Sequence, residues 1–87
     1  MVVDALGKEI IVGNWYGYSR NDGGFSHTTI GQVSKITEGD GQYVPGKARL
    51  VNCMVKRYLY GKPTEYGSDK KPADVTIMGA MIFPVEI

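Results

Sequence analysis

The 87-residue sequence has one cysteine, Cys53, and one histidine, His27. A single cysteine closes no internal disulfide, and the two residues fall short of the three or four clustered ligands that a metal site requires. No apolar run is long enough to span a membrane, and Met1-Val2-Val3-Asp4 does not open a signal peptide, so a reducing, cytoplasmic setting is expected. A surplus of one charge is missing too. Ten Lys plus Arg stand against nine Asp plus Glu, leaving +1, so bulk charge points neither to nucleic acid nor to disorder. One domain over residues 1–87 is expected, held by packing and open to help from a partner chain.

Helical signals are also scarce. Ile30, Val33 and Ile36 are spaced by three, but Gly31 interrupts them and Thr28, Thr29 and Thr37 favour a strand, bent or bulged near the glycine. What is abundant is glycine, 12 residues, and tyrosine, 6 residues, the mixture of tight turns and half-buried strands. A first strand is expected over about 14–20 and a turn at Asn21-Asp22-Gly23-Gly24. A loop carrying Phe25 should follow to about Ser26, and a second strand should run over about 27–37. A third strand is expected over about 47–60. Its apolar residues change parity between Leu50 and Val51, which calls for a bulge near Leu50 to Asn52, and so long a strand in so small a protein must bend or protrude. Residues 61–74 read as a loop. Val75, Ile77, Met81, Phe83, Val85 and Ile87 share one parity, as one strand or as two short strands meeting at Gly79, with Pro84 on a sheet edge. The expected fold is all-β, a small barrel or roll of four to five antiparallel strands.

The segment Ile10-Ile11-Val12-Gly13-Asn14-Trp15-Tyr16-Gly17-Tyr18, followed after a glycine-bearing turn by Gly31-Gln32-Val33-Ser34-Lys35-Ile36, resembles the opening of an SH3-like barrel of the KOW type. Such layouts are frequent among small phage-encoded accessory proteins. The likeness covers about residues 4–37; Asn14 stands where the pattern has aspartate, and the connection is longer and lacks the usual lysine-glycine step. It implies an SH3-like barrel. It carries over no functional residue, because related modules bind RNA, RNA polymerase, peptides or DNA.

Catalytic groupings are missing. Cys53 shares an apolar parity with Val51 and Val55, where thiols are inert, so a Cys53–His27 nucleophile pair oriented by Asn52 or an aspartate is disfavoured. Glu38 and Asp40 sit in a turn, and neither Asp22-Gly23-Gly24 nor Gly61-Lys62-Pro63 completes a phosphate loop. A non-enzymatic protein without metal or cofactor is expected.

The +1 total hides a division. Residues 1–46 carry a net −2, residues 47–71 a net +5 and residues 72–87 a net −2. Within the basic segment, Lys56-Arg57-Tyr58-Leu59-Tyr60-Gly61-Lys62 interleaves cations that neutralise phosphate with rings that stack on unpaired bases. A nucleic-acid-binding module is therefore expected, with Lys56, Arg57, Lys62, Lys70 and Lys71 on phosphates and Tyr58 and Tyr60 stacking; on a straight strand Lys56, Tyr58, Tyr60 and Lys62 share a face. The same residues also suit an ordinary solvated strand. The alternative is a protein-interaction module that binds a host protein, in host cytoplasm if phage-encoded, using Trp15, Tyr16, Tyr18 and the loop aromatic Phe25. A homodimer through an edge strand fits both.

Overall fold

The computed structural model describes residues 1–40, 43–63 and 74–86, and within the strands every side chain except those of Asp22 and Pro63. The chain forms β1 (Trp15–Asp22), β2 (Phe25–Thr37), β3 (Lys47–Leu59), β4 (Lys62–Pro63), β5 (Val75–Met78) and β6 (Phe83–Pro84), with a 3-10 turn at Gly79–Met81. All pairings are antiparallel. The order is β4-β3-β2-β1-β6, and β5 joins the other end of β3. The all-β expectation holds, but the margins of the sheet do not pair with each other among the described residues, so the sheet is open.

Local sequence accounts for most of the boundaries. Asp22 pairs with Phe25 around Gly23-Gly24, a two-residue connection with Gly23 at φ 64°. The turn is thus tighter than expected, and Phe25 belongs to β2, opposite Leu59, instead of a loop. Leu59 pairs with Lys62 around Tyr60-Gly61, whose φ values of 49° and 80° are both positive, as a type I′ hairpin requires. The two apolar stretches at the end of the chain are separate strands meeting at Gly79, and Pro84 lies on the sheet margin, where a missing N–H does not interrupt a ladder.

The long strands are kinked where their patterns change phase. From Ile30 to Gln32, β2 advances two residues while its partner β3 runs from Met54 to Val51, so β3 holds an extra residue there. Asn52 takes a left-handed φ of 53°, a conformation asparagine tolerates better than most side chains. Gly31 sits opposite. A Cβ at Gly31 would come within 2.8 Å of the Leu50 Cβ and 2.9 Å of the Cys53 Sγ, so only glycine lets β2 approach the bulge. A second irregularity follows between Val33 and Lys35.

These bulges divide the molecule into a base and an arm. At the base, Val2, Ile10, Tyr16, Val33, Ala48, Leu50 and Ile82 form the buried core. Asp4, buried, accepts the N–H groups of Leu6 and Lys8 on Oδ1 at 2.8 and 3.1 Å, closing the N-terminal loop, and Ala5 N–H donates to the Ile82 carbonyl. Beyond the bulge, β1, β2 and β3 continue as a three-stranded arm that ends in the two tight turns. The molecule measures 39 × 23 × 20 Å, so its long strands both bend and project.

Candidate nucleic-acid interface on the arm

Directly paired residues of antiparallel strands point to the same face, so the register sorts the arm side chains. On the face continuous with the core, successive rows are Tyr18–Thr29–Val55, then Arg20–His27–Arg57, then Phe25–Leu59–Lys62. The other face carries Ser19–Thr28–Lys56, then Asn21–Ser26–Tyr58. Two side-chain contacts agree with this sorting: Ser19 Oγ lies 3.0 Å from Thr28 Oγ1, and Arg57 Nε donates to His27 Nδ1 at 3.2 Å.

This arrangement corrects the single basic face expected from strand parity. The type I′ turn restarts the alternation, so Lys62 aligns with Leu59 and Arg57, while Lys56 and Tyr58 occupy the opposite face. Tyr60 sits in the turn itself, 83% exposed, with its N–H donated to the Gly24 carbonyl at 2.9 Å. Lys70 and Lys71 lie outside the described residues. Lys47 and Arg49 belong to the base, where Arg49 pairs with Asp74 at 3.0 Å. In their place the fold recruits Arg20 from β1, which sequence segmentation had assigned to an acidic stretch.

The resulting charge distribution follows the long axis. The arm carries Arg20, Lys56, Arg57 and Lys62 against Asp22; the rest of the described chain carries four cations against Asp4, Glu9, Glu38, Asp40, Asp74 and Glu86. Strands about 4.8 Å apart set Arg20 and Arg57 about 10 Å apart across His27. Arg20 is exposed and Arg57 half-buried. A row of this kind can neutralise phosphate oxygens, and Tyr60 at the tip offers a ring face to an unpaired base.

The aromatics assigned to a protein interface separate. Tyr16 is 3% exposed and its hydroxyl accepts the Ile11 N–H at 3.0 Å, so it is a core residue and is withdrawn from any contact surface. Tyr18, on the same face, packs half-buried against the core. Trp15 is half-buried on the other face, where Phe83 and Val85 lie over Gly17. Phe25 is half-buried in the arm's outermost row.

Cys53 and His27 are not brought together. Cys53, packed against the core, donates to the Leu50 carbonyl at 3.6 Å, and burial, with the Asp74 carboxylate adding to it, pushes its thiol above the ordinary value. His27 is paired with Arg57, four residues along β3. Among the described residues no His, Cys, Asp and Glu cluster could hold a metal ion, and no helix is long and apolar enough to cross a membrane. A cleft of about 590 Å³ opens at the base between Val2, Glu38, Asp40, Val44 and Met78. Its carboxylates are engaged: Glu38 with the terminal ammonium at 3.0 Å, and Asp40 with the N–H groups of Tyr43 and Val44. Compared with known protein families, curated proteins and solved structures, the chain finds no match.

Proposed function

We propose that this protein is a non-enzymatic binder of single-stranded nucleic acid, RNA or DNA, with the arm as its contact surface. The observation that carries the reading is the separation of charge along the molecule, with four cations and one carboxylate on the arm against an acidic remainder. Arg20, Arg57 and Lys62 act on phosphates from one face and Lys56 from the other, where Tyr58 stacks, and Tyr60 stacks at the tip; Lys70 and Lys71, which follow β4 in sequence together with Glu65 and Asp69, are further phosphate contacts of this reading. Contacts of this type follow backbone and ring faces, so sequence preference is weak. The β1-β2-β3 meander, with the short β6 beside β1, supports placing the fold near the SH3-like barrels that residues 4–37 resemble. The test is a pair of charge reversals read by fluorescence anisotropy with a single-stranded oligonucleotide: R20E/R57E weakens binding at least tenfold while K35E/K47E at the base leaves it. Equal loss in both, or no loss in the first, defeats the assignment.

A second reading, strand addition by a host protein or a second copy of the chain, has one favouring observation. The Trp15 carbonyl accepts from Val85, so the odd-numbered residues of β1 direct their backbone groups outward; beyond Gly17, no described strand meets those of Ser19 and Asn21. Analytical ultracentrifugation and a nuclease-treated pull-down distinguish a dimer, a protein partner and neither.

A further inference from the structure

We propose that the Arg20–His27–Arg57 row is a proton-gated phosphodiester site, in which protonation of His27 strengthens the hold on the nucleic-acid backbone. This rests on the nucleic-acid reading and adds its regulation. Arg57 Nε–H can donate to His27 Nδ1 only while that nitrogen carries a lone pair, so the observed pairing at 3.2 Å describes neutral histidine with its proton on Nε2. In this state the imidazole occupies one arginine donor and contributes no charge. When Nδ1 takes a proton, two donors face each other, Arg57 releases, and three cations lie in one row across three strands. A phosphodiester between them relieves the repulsion, so the anion and the proton each favour binding of the other.

Among the described residues, the other charged or titratable groups near His27 are few. Arg20 faces it from β1 and Arg57 from β3; Asp22 and Lys62 align one row further out, and Tyr18 one row inward. His27 is the only histidine in the chain, and histidine is the side chain type whose ordinary pKa lies between pH 5 and 8. The thiol of Cys53 is moved upward, away from that range.

The test uses the full chain and an oligothymidylate carrying a pH-insensitive rhodamine, since neither its bases nor its backbone titrates in the range examined. Affinity is read by anisotropy at about pH 8 and about pH 5.5, spanning the histidine range, at one low salt concentration. The wild type is expected to bind about 5-fold or more tightly at the lower pH, and the H27Q variant to lose that gain. Nitrogen-15 spectra of the single histidine in the free protein should show the Nε2–H tautomer at high pH. Binding with the same pH response in wild type and H27Q overturns the gate but leaves the nucleic-acid reading standing. An Nδ1–H tautomer at high pH also overturns it. No binding at either pH overturns the nucleic-acid reading and the gate with it.

Discussion

Replacing Gly31 by alanine tests whether the arm is set by the bulge. The new methyl would lie 2.8 Å from the Leu50 Cβ, 2.9 Å from the Cys53 Sγ and 3.2 Å from the Val51 carbonyl oxygen. Leu50 Cβ and the Val51 oxygen are fixed to the β3 backbone, so neither can rotate aside, and β3 must shift. Overpacking of this kind costs roughly 1–3 kcal/mol. For a two-state domain of this size with a urea m-value near 1 kcal/mol/M, the unfolding midpoint should fall by about 1–3 M. Each kcal/mol should lower Tm by about 4–8 °C. Trimming Cys53 to alanine in the same chain relieves the sulfur contact alone, so the G31A/C53A variant should recover only part of the loss. A G31A protein within about 0.5 kcal/mol of wild type would refute the close approach of β2 to the bulge, because an unconstrained surface change has that size.

Other consequences are separately measurable. Asp4→Ala removes the acceptor of two backbone N–H groups in a buried position, and chemical denaturation should show a loss of about 1–3 kcal/mol. Tyr60→Asn should raise stability by several tenths of a kcal/mol, because asparagine suits positive φ in a type I′ turn, while weakening oligonucleotide binding through loss of the ring. Native-state hydrogen exchange should be fast at Ser19 and Asn21, whose N–H groups point out from the arm margin, and slow at Val33 in the central strand. Cys53 should react with a thiol reagent near pH 8 more slowly in the folded than in the urea-unfolded chain, since a raised thiol pKa leaves less thiolate; the contrast should fade as pH rises through the folded value.

The parts of this fold legible in the sequence are those written locally. Asn21 through Gly24 specify a turn whatever surrounds them, the parity change after Leu50 requires an extra residue near Asn52, and Pro84 excludes a central strand position. Phe25 is not placed in β2 by sequence alone, because a two-residue turn and a longer loop share the same glycines. The expected binding face failed for a similar reason: Tyr60-Gly61 is a turn in which parity restarts, so counting by twos from Lys56 to Lys62 crosses between faces. Arg20 and His27 could not be joined to Arg57 by any local rule, because their row exists only through the register of three strands. Tyr16 belongs to the core because its hydroxyl accepts the Ile11 N–H there, a pairing that no sequence pattern around Tyr16 specifies.

The proposed neutralisation of a single-stranded nucleic-acid backbone by the arm should show in the salt dependence of oligonucleotide affinity. Each phosphate contact on a single strand contributes about −0.7 to the slope of log K against log salt. Engagement of Arg20, Lys56, Arg57 and Lys62 predicts a slope of roughly −3 or steeper, and R20E/R57E should lower its magnitude by about 1.4 or more. A slope near zero, or no binding at the lowest salt, contradicts that neutralisation.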